Sequence, residues 1–98
     1  VQAMKNVINQ IKVHCPNHKR SLVLQRELRR TIGLSWGFGI ECPWNVERQW
    51  VIIGYSTLTN RWLLFWTTER EYQGLDYPEY KAADLIRESR KRPDFIQL

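Results

Sequence analysis

The chain has little that would staple or anchor it. Only Cys15 and Cys42 are cysteines among its 98 residues, so the disulfide framework of a small secreted scaffold is excluded and a reducing, cytoplasmic compartment is expected. A membrane-spanning run is missing too. The most hydrophobic window, 50–66, contains Asn60, Arg61 and several Ser and Thr, whereas a span needs about 20 mostly apolar residues. A secretory leader is not expected at the start, because Lys5, Asn6, Asn9 and Lys12 interrupt any apolar stretch. Met4 is the only methionine, and residues 1–3 read as an addition ahead of the native start. Internal repeats and low-complexity runs are absent. So are the usual marks of catalysis: no glycine-rich phosphate loop, no nucleophile elbow and no His-Glu-x-x-His pair.

What is present is unevenly distributed. The net charge of +5 divides into +6 over residues 1–34, −3 over 35–86 and +2 over 87–98. All five Trp, four Tyr and three Phe lie from Trp36 onward. A basic, aliphatic first third therefore precedes a Trp-rich middle and a basic end. With 43% hydrophobic residues, a single domain over 1–98 has enough apolar surface for one modest core.

Periodicity supplies the elements. Met4, Val7, Ile8, Ile11 and Cys15 recur at helical spacing, which predicts a first helix ending before Pro16. The alternative at this point is a short strand through Ile11, Val13 and Cys15. Ser21 is the expected cap of a second helix, with Leu24, Leu28 and Ile32 inward, Gln25, Arg26, Arg29 and Arg30 outward, and Gly33 at its C-terminus. From Ser35 the period becomes two, and Trp36, Phe38, Ile40 and Cys42 predict a strand. The segments 49–57 and 61–68 form an antiparallel hairpin. Both of its faces are apolar, so both need a cover from helices, a second copy or a ligand. Asp76 and Glu79 stand at capping-box spacing and predict a last helix with Tyr80, Ala83, Leu85 and Ile86 inward, ending at Pro93. The expected fold is α+β, a three-stranded antiparallel meander packed by helices in the order α-α-β-β-β-α.

Charge points to a partner. Lys19, Arg20, Arg26, Arg29 and Arg30 occupy a turn and the outer face of one helix, and Arg87, Arg90 and Lys91, followed by Arg92, form a second basic cluster. Such surfaces match the phosphate spacing of nucleic acid; a solvated face kept for solubility is the bland alternative. Trp36, Trp50, Trp62 and Trp66 are stacking candidates if one sheet face stays open, although tryptophans on short strands usually belong to a core or an interface. Trp44 sits in a Pro-flanked loop and is the aromatic candidate for a protein-partner contact. Residues 24–35 have the cadence of a helix-turn-helix, but Arg29 stands where a small residue is needed and 36–39 are strand-like, which excludes it.

His14, Cys15, His18 and Cys42 offer metal-ligating atoms, yet their spacing matches no standard zinc module and Pro16 breaks the helical register between the two histidines. No metal, cofactor or catalytic residue is assigned. Ile53-Gly54-Tyr55-Ser56, Arg61-Trp62-Leu63 and Thr68-Glu69-Arg70 resemble the central hairpin of BrnT-type ribonuclease toxins. The resemblance covers about eighteen residues and ends on either side of the hairpin, so it transfers no active-site residue. For a toxin-like ribonuclease the general base would be His18, beside Lys19 and Arg20. The leading expectation is a small non-enzymatic nucleic-acid-binding protein, with self-association into a homodimer as one option. Its rival is a protein-interaction module that buries the apolar sheet and the tail Phe95–Leu98 against another chain.

Overall fold

The computed structural model describes residues 7–36, 46 and 49–91. Among them lie five strands and three helices: β1 (Val7–His14), α1 (His18–Ile32), β2 (Ser35–Trp36), β3 (Trp50–Ser56), β4 (Arg61–Thr67), α2 (Glu69–Gly74), β5 (Glu79–Tyr80) and α3 (Ala82–Lys91). The class is α+β, as the sequence implies. The order and the sheet differ from expectation: β-α-β-β-β-α-β-α, around a five-stranded mixed sheet instead of a three-stranded meander.

The largest correction is β1, where the spacing suggests a helix. Ile8 stands opposite Tyr55 and Ile11 opposite Ile53, so three steps along β1 match two along β3. This β-bulge contains Asn9 at φ 51°, a left-handed conformation that asparagine tolerates better than most residues. One extra residue converts the strand period of two into a local step of three, which imitates helical spacing. Beyond the bulge the alternation is regular, and Ile11, Val13 and Cys15 are all buried.

α1 starts earlier than Ser21. Asn17 is its N-cap, with Oδ1 accepting from the Arg20 backbone N–H at 2.9 Å, and asparagine caps at least as well as serine. Ser21 lies inside the helix, buried, where its Oγ accepts from the Gln25 side-chain amide. The rest of α1 follows its pattern: Leu24 and Leu28 are buried, Arg26, Arg29 and Arg30 exposed. Gly33 closes it at φ 70°, with the Gly33 and Leu34 amides returning to Arg29 and Leu28 carbonyls, a Schellman ending.

β3 and β4 form the expected antiparallel hairpin, in register from Trp50↔Thr67 to Ser56↔Arg61. The sheet order is β2-β4-β3-β1-β5. β2 runs parallel to β4 and β5 parallel to β1, so β3 alone opposes the other four strands. Two crossovers follow. The first, β1 to β2, carries α1 over one face; the second, β4 to β5, runs the opposite way along the sheet and carries α2 over the other. Opposite directions on opposite faces keep a single hand, as the handedness rule for parallel connections requires.

Both apolar faces of the hairpin are therefore covered by the chain itself. On one face Ile11, Val13, Val51, Ile53, Trp62 and Leu64 pack with Leu24 and Leu28 of α1 and with Leu85 and Ile86 of α3. On the other, Ile52 and Phe65 pack with Leu63, Leu75 and Tyr77. The second cover comes from α2, which starts at Thr68, whose Oγ1 accepts from the Glu71 N–H. The last helix is also corrected. Glu79 and Tyr80 pair with Lys12 and Val13 as β5, and α3 starts only at Ala82. Leu85 and Ile86 point inward as expected, whereas Ala83 is exposed. The strand proposed beyond Trp36 and the tail from residue 92 lie outside the described residues.

Candidate nucleic-acid interface

The basic residues fall into two groups once they are placed on the helices. α3 packs beside α1, and Glu27 of α1 faces it. The Glu27 carboxylate takes both Arg30 and Arg90, each at 3.0 Å. The Arg90 hydrogen bond, with Arg30 and Arg90 charges adding to it, holds Glu27 below the usual carboxylate range. Arg87 pairs with Asp84, and Lys91 with Glu88 at 3.9 Å. Four of the eight predicted contact residues, Arg30, Arg87, Arg90 and Lys91, thus already meet an acid.

The other flank of α1 differs. At 100° per residue, Arg29 lies about 200° around the axis from Glu27, so Arg29 and Arg90 sit on opposite sides of the helix. Here α1 borders the sheet edge made by β2 and β4. An open groove of about 830 Å³ runs between them, lined by Leu22, Gln25, Arg26 and Arg29 of α1, by Leu34, Ser35 and Trp36, and by Thr59, Arg61, Leu63 and Leu64. A smaller depression shares Arg29, Leu34, Ser35 and Arg61 with it and continues toward Tyr55 and Asn60. Arg26, Arg29 and Arg61 form no ion pair among the described residues. Three arginines line one groove whose described lining holds no acid, which gathers positive charge there, and arginine's planar fork suits phosphate oxygens.

Lys19 and Arg20 are exposed in the first turn of α1, which holds no acidic residue. Cations there oppose the helix dipole, at a cost of roughly 0.3–1 kcal/mol each. Folding alone gives no reason for that placement.

The aromatic candidates are dispersed. Trp62 is buried, and Trp36 and Trp66 are half-buried against the same core, stacked at 6.4 Å. The sheet has no open tryptophan platform among the described residues. Trp50 lies on the opposite face and stacks on His14 at 5.4 Å, while His14 Nε2 is 2.7 Å from Gln49 Oε1. Trp44 and Cys42 lie outside the described residues. His18 is exposed at the start of α1 beside Lys19 and Arg20. Burial pushes the Cys15 thiol up to about 12, against a smaller opposing pull from Arg20, which suppresses the thiolate that metals and electrophiles need. Among the described residues no group of three or more His, Cys, Asp or Glu could hold a metal ion.

Two residues escape sequence reasoning. Arg61 reads as the hairpin's first exposed residue, and only the crossover of α1 brings it beside Arg26 and Arg29. Lys12, counted with the basic N-terminal third, is almost wholly buried. For α2 a signal did exist: Thr68-x-x-Glu71 is a capping-box spacing.

Searches against protein-family models, curated proteins and solved structures found no match to this chain. No helix among the described residues is long and apolar enough to cross a membrane.

Proposed function

We propose that this protein binds nucleic acid, with Arg26, Arg29 and Arg61 as its central phosphate contacts and Lys19 and Arg20 extending them along α1. The observation that carries the reading is the groove itself: three arginines converge on it, and no described acid neutralises them. Like charges gathered without a counter-ion repel one another, and a polyanion relieves that repulsion while releasing its own condensed cations. The paired residues Arg30, Arg87, Arg90 and Lys91 add a weaker, outlying field. The uncovered sheet that motivates a protein-interaction module is met by α1, α2 and α3 of the same chain, which leaves the groove charge as the feature without an internal partner.

The test is retention and its salt dependence. Replacing Arg26, Arg29 and Arg61 together by Ala should weaken binding to a labelled oligonucleotide and flatten its dependence on salt. Each lost phosphate contact removes roughly 0.7–0.9 from the logarithmic slope, so about 2 should disappear. Exposed side chains carry all three changes, so the melting temperature should hold within a few degrees. Unchanged affinity and slope would rule the reading out.

A further inference from the structure

The lining of the groove deepens that reading, on which this inference rests, by naming the form of nucleic acid it takes. Leu22, Leu34, Trp36, Leu63 and Leu64 line the same groove as Arg26, Arg29 and Arg61; of these Leu22 is exposed and Trp36 half-buried on the α1 face, while Leu34 and Leu64 lie in the core behind them. Leu22 and Val23 are each 40% exposed on α1, and of the two Leu22 lines the groove. A duplex offers its phosphates to the arginines but no base face to the apolar floor, because its bases are stacked inside a cylinder of phosphate. An unpaired strand offers alternating phosphates and flat base faces, which arginine forks and an apolar floor take together. From Leu22 to Arg29 the helix rises about 10 Å, the span of about three nucleotides at the stacked rise.

We infer that the groove between α1 and the β2–β4 edge binds single-stranded nucleic acid, seating an unpaired base against Leu22 and Trp36 while Arg26, Arg29 and Arg61 hold the flanking phosphates. The chemistry balances on both sides: the apolar floor takes the base and the unpaired guanidinium groups take the charge. Leu22 is a specificity residue in this arrangement, since removing its side chain changes what the groove accepts without changing its charge.

Fluorescence anisotropy with a labelled single strand of about 12 nucleotides, the blunt duplex of the same sequence and a nucleoside triphosphate competitor tests this. The expected result is a single strand bound about tenfold or more tightly than the duplex, with Leu22→Gln erasing most of the preference. Leu22→Glu should weaken both ligands, the strand more. Both variants replace a partly exposed residue on a helix, and their melting curves verify folding. A duplex bound as tightly as the strand overturns the inference but leaves nucleic-acid binding standing. A preference that survives Leu22→Gln also overturns it, by placing the strand elsewhere. A triphosphate that matches the strand's affinity refutes the strand assignment in favour of a free nucleotide. If neither strand nor duplex is retained at low salt, this inference and the function proposed above fall together.

Discussion

Lys12 gives the sharpest test of how the fold is held. It alternates with Ile11 and Val13 on β1, which places it on the face covered by α2. Its Nζ donates to the Tyr72 carbonyl at 2.9 Å and the Leu75 carbonyl at 3.0 Å, and it lies 4.7 Å from the centre of the Tyr72 ring. The ammonium therefore caps the C-terminal end of α2, where the helix dipole is negative, and ties it to the middle of the sheet. Burial, and then the nearby Glu79 carboxylate, raise the Tyr72 phenol above its ordinary value, and the ring, neutral near pH 7 in any case, presents its face to the cation. Lys12→Met retains the stem and removes the charge. Hydrogen bonds from a charged donor contribute about 1.5–3 kcal/mol each, and the ring contact about 0.5–2 kcal/mol. Returning the ammonium to water in the unfolded state no longer has to be offset, and the Tyr72 carbonyl keeps its bond from the Leu75 N–H. The net loss should be about 2–4 kcal/mol, a fall in melting temperature of about 8–32 °C at 4–8 °C per kcal/mol. Urea titration followed by tryptophan fluorescence measures the first figure, and hydrogen exchange should show protection lost first at residues 69–75. A variant within about 0.5 kcal/mol of the parent, with α2 still protected, would refute the view that this lysine fastens the helix.

Other expectations follow from single residues. Glu27 has a depressed folded-state pKa, so its contribution is present above the ordinary carboxylate value near 4.5 and lost as pH falls through the lower folded value; Glu27→Gln should remove that acid-range slope from a stability-versus-pH curve, and an unaltered curve would deny the pairing with Arg90. Gly33→Ala meets open space but must adopt φ 70°, so it should cost about 1–2 kcal/mol by thermal denaturation. Lys19→Glu and Arg20→Glu should each raise stability by roughly 0.3–1 kcal/mol while weakening oligonucleotide binding, a separation visible when melting curves and anisotropy are compared.

The hairpin and the two long helical faces were legible because each is set by neighbours in sequence. Alternation of Val51, Ile53, Leu64 and Trp66 against Ile52, Leu63 and Phe65 fixes two apolar faces whatever covers them. Leu24 and Leu28 with Gly33 fix α1 and its end in the same way. β1 was obscured for a local reason, the extra residue at Asn9, and α2 was readable from Thr68 and Glu71 but overshadowed by the capping-box spacing of Asp76 and Glu79. β2 and β5 are two residues each, too short for any period to show, and exist only because a parallel neighbour pairs with them.

By itself the sequence determined that positive charge is gathered at the two ends of the chain and that its sheet is apolar on both sides. Tertiary structure decided what those facts mean. The crossovers of α1 and α2 on opposite faces covered the sheet from within. Packing α3 against α1 drew Arg90 into an ion pair with Glu27, beside the local Glu27–Arg30 pair. Laying α1 along the β2–β4 edge set Arg61 beside Arg26 and Arg29, residues more than thirty positions apart. Charge composition is a property of the chain, but whether a charge meets an acid or an open groove depends on distances that only packing sets.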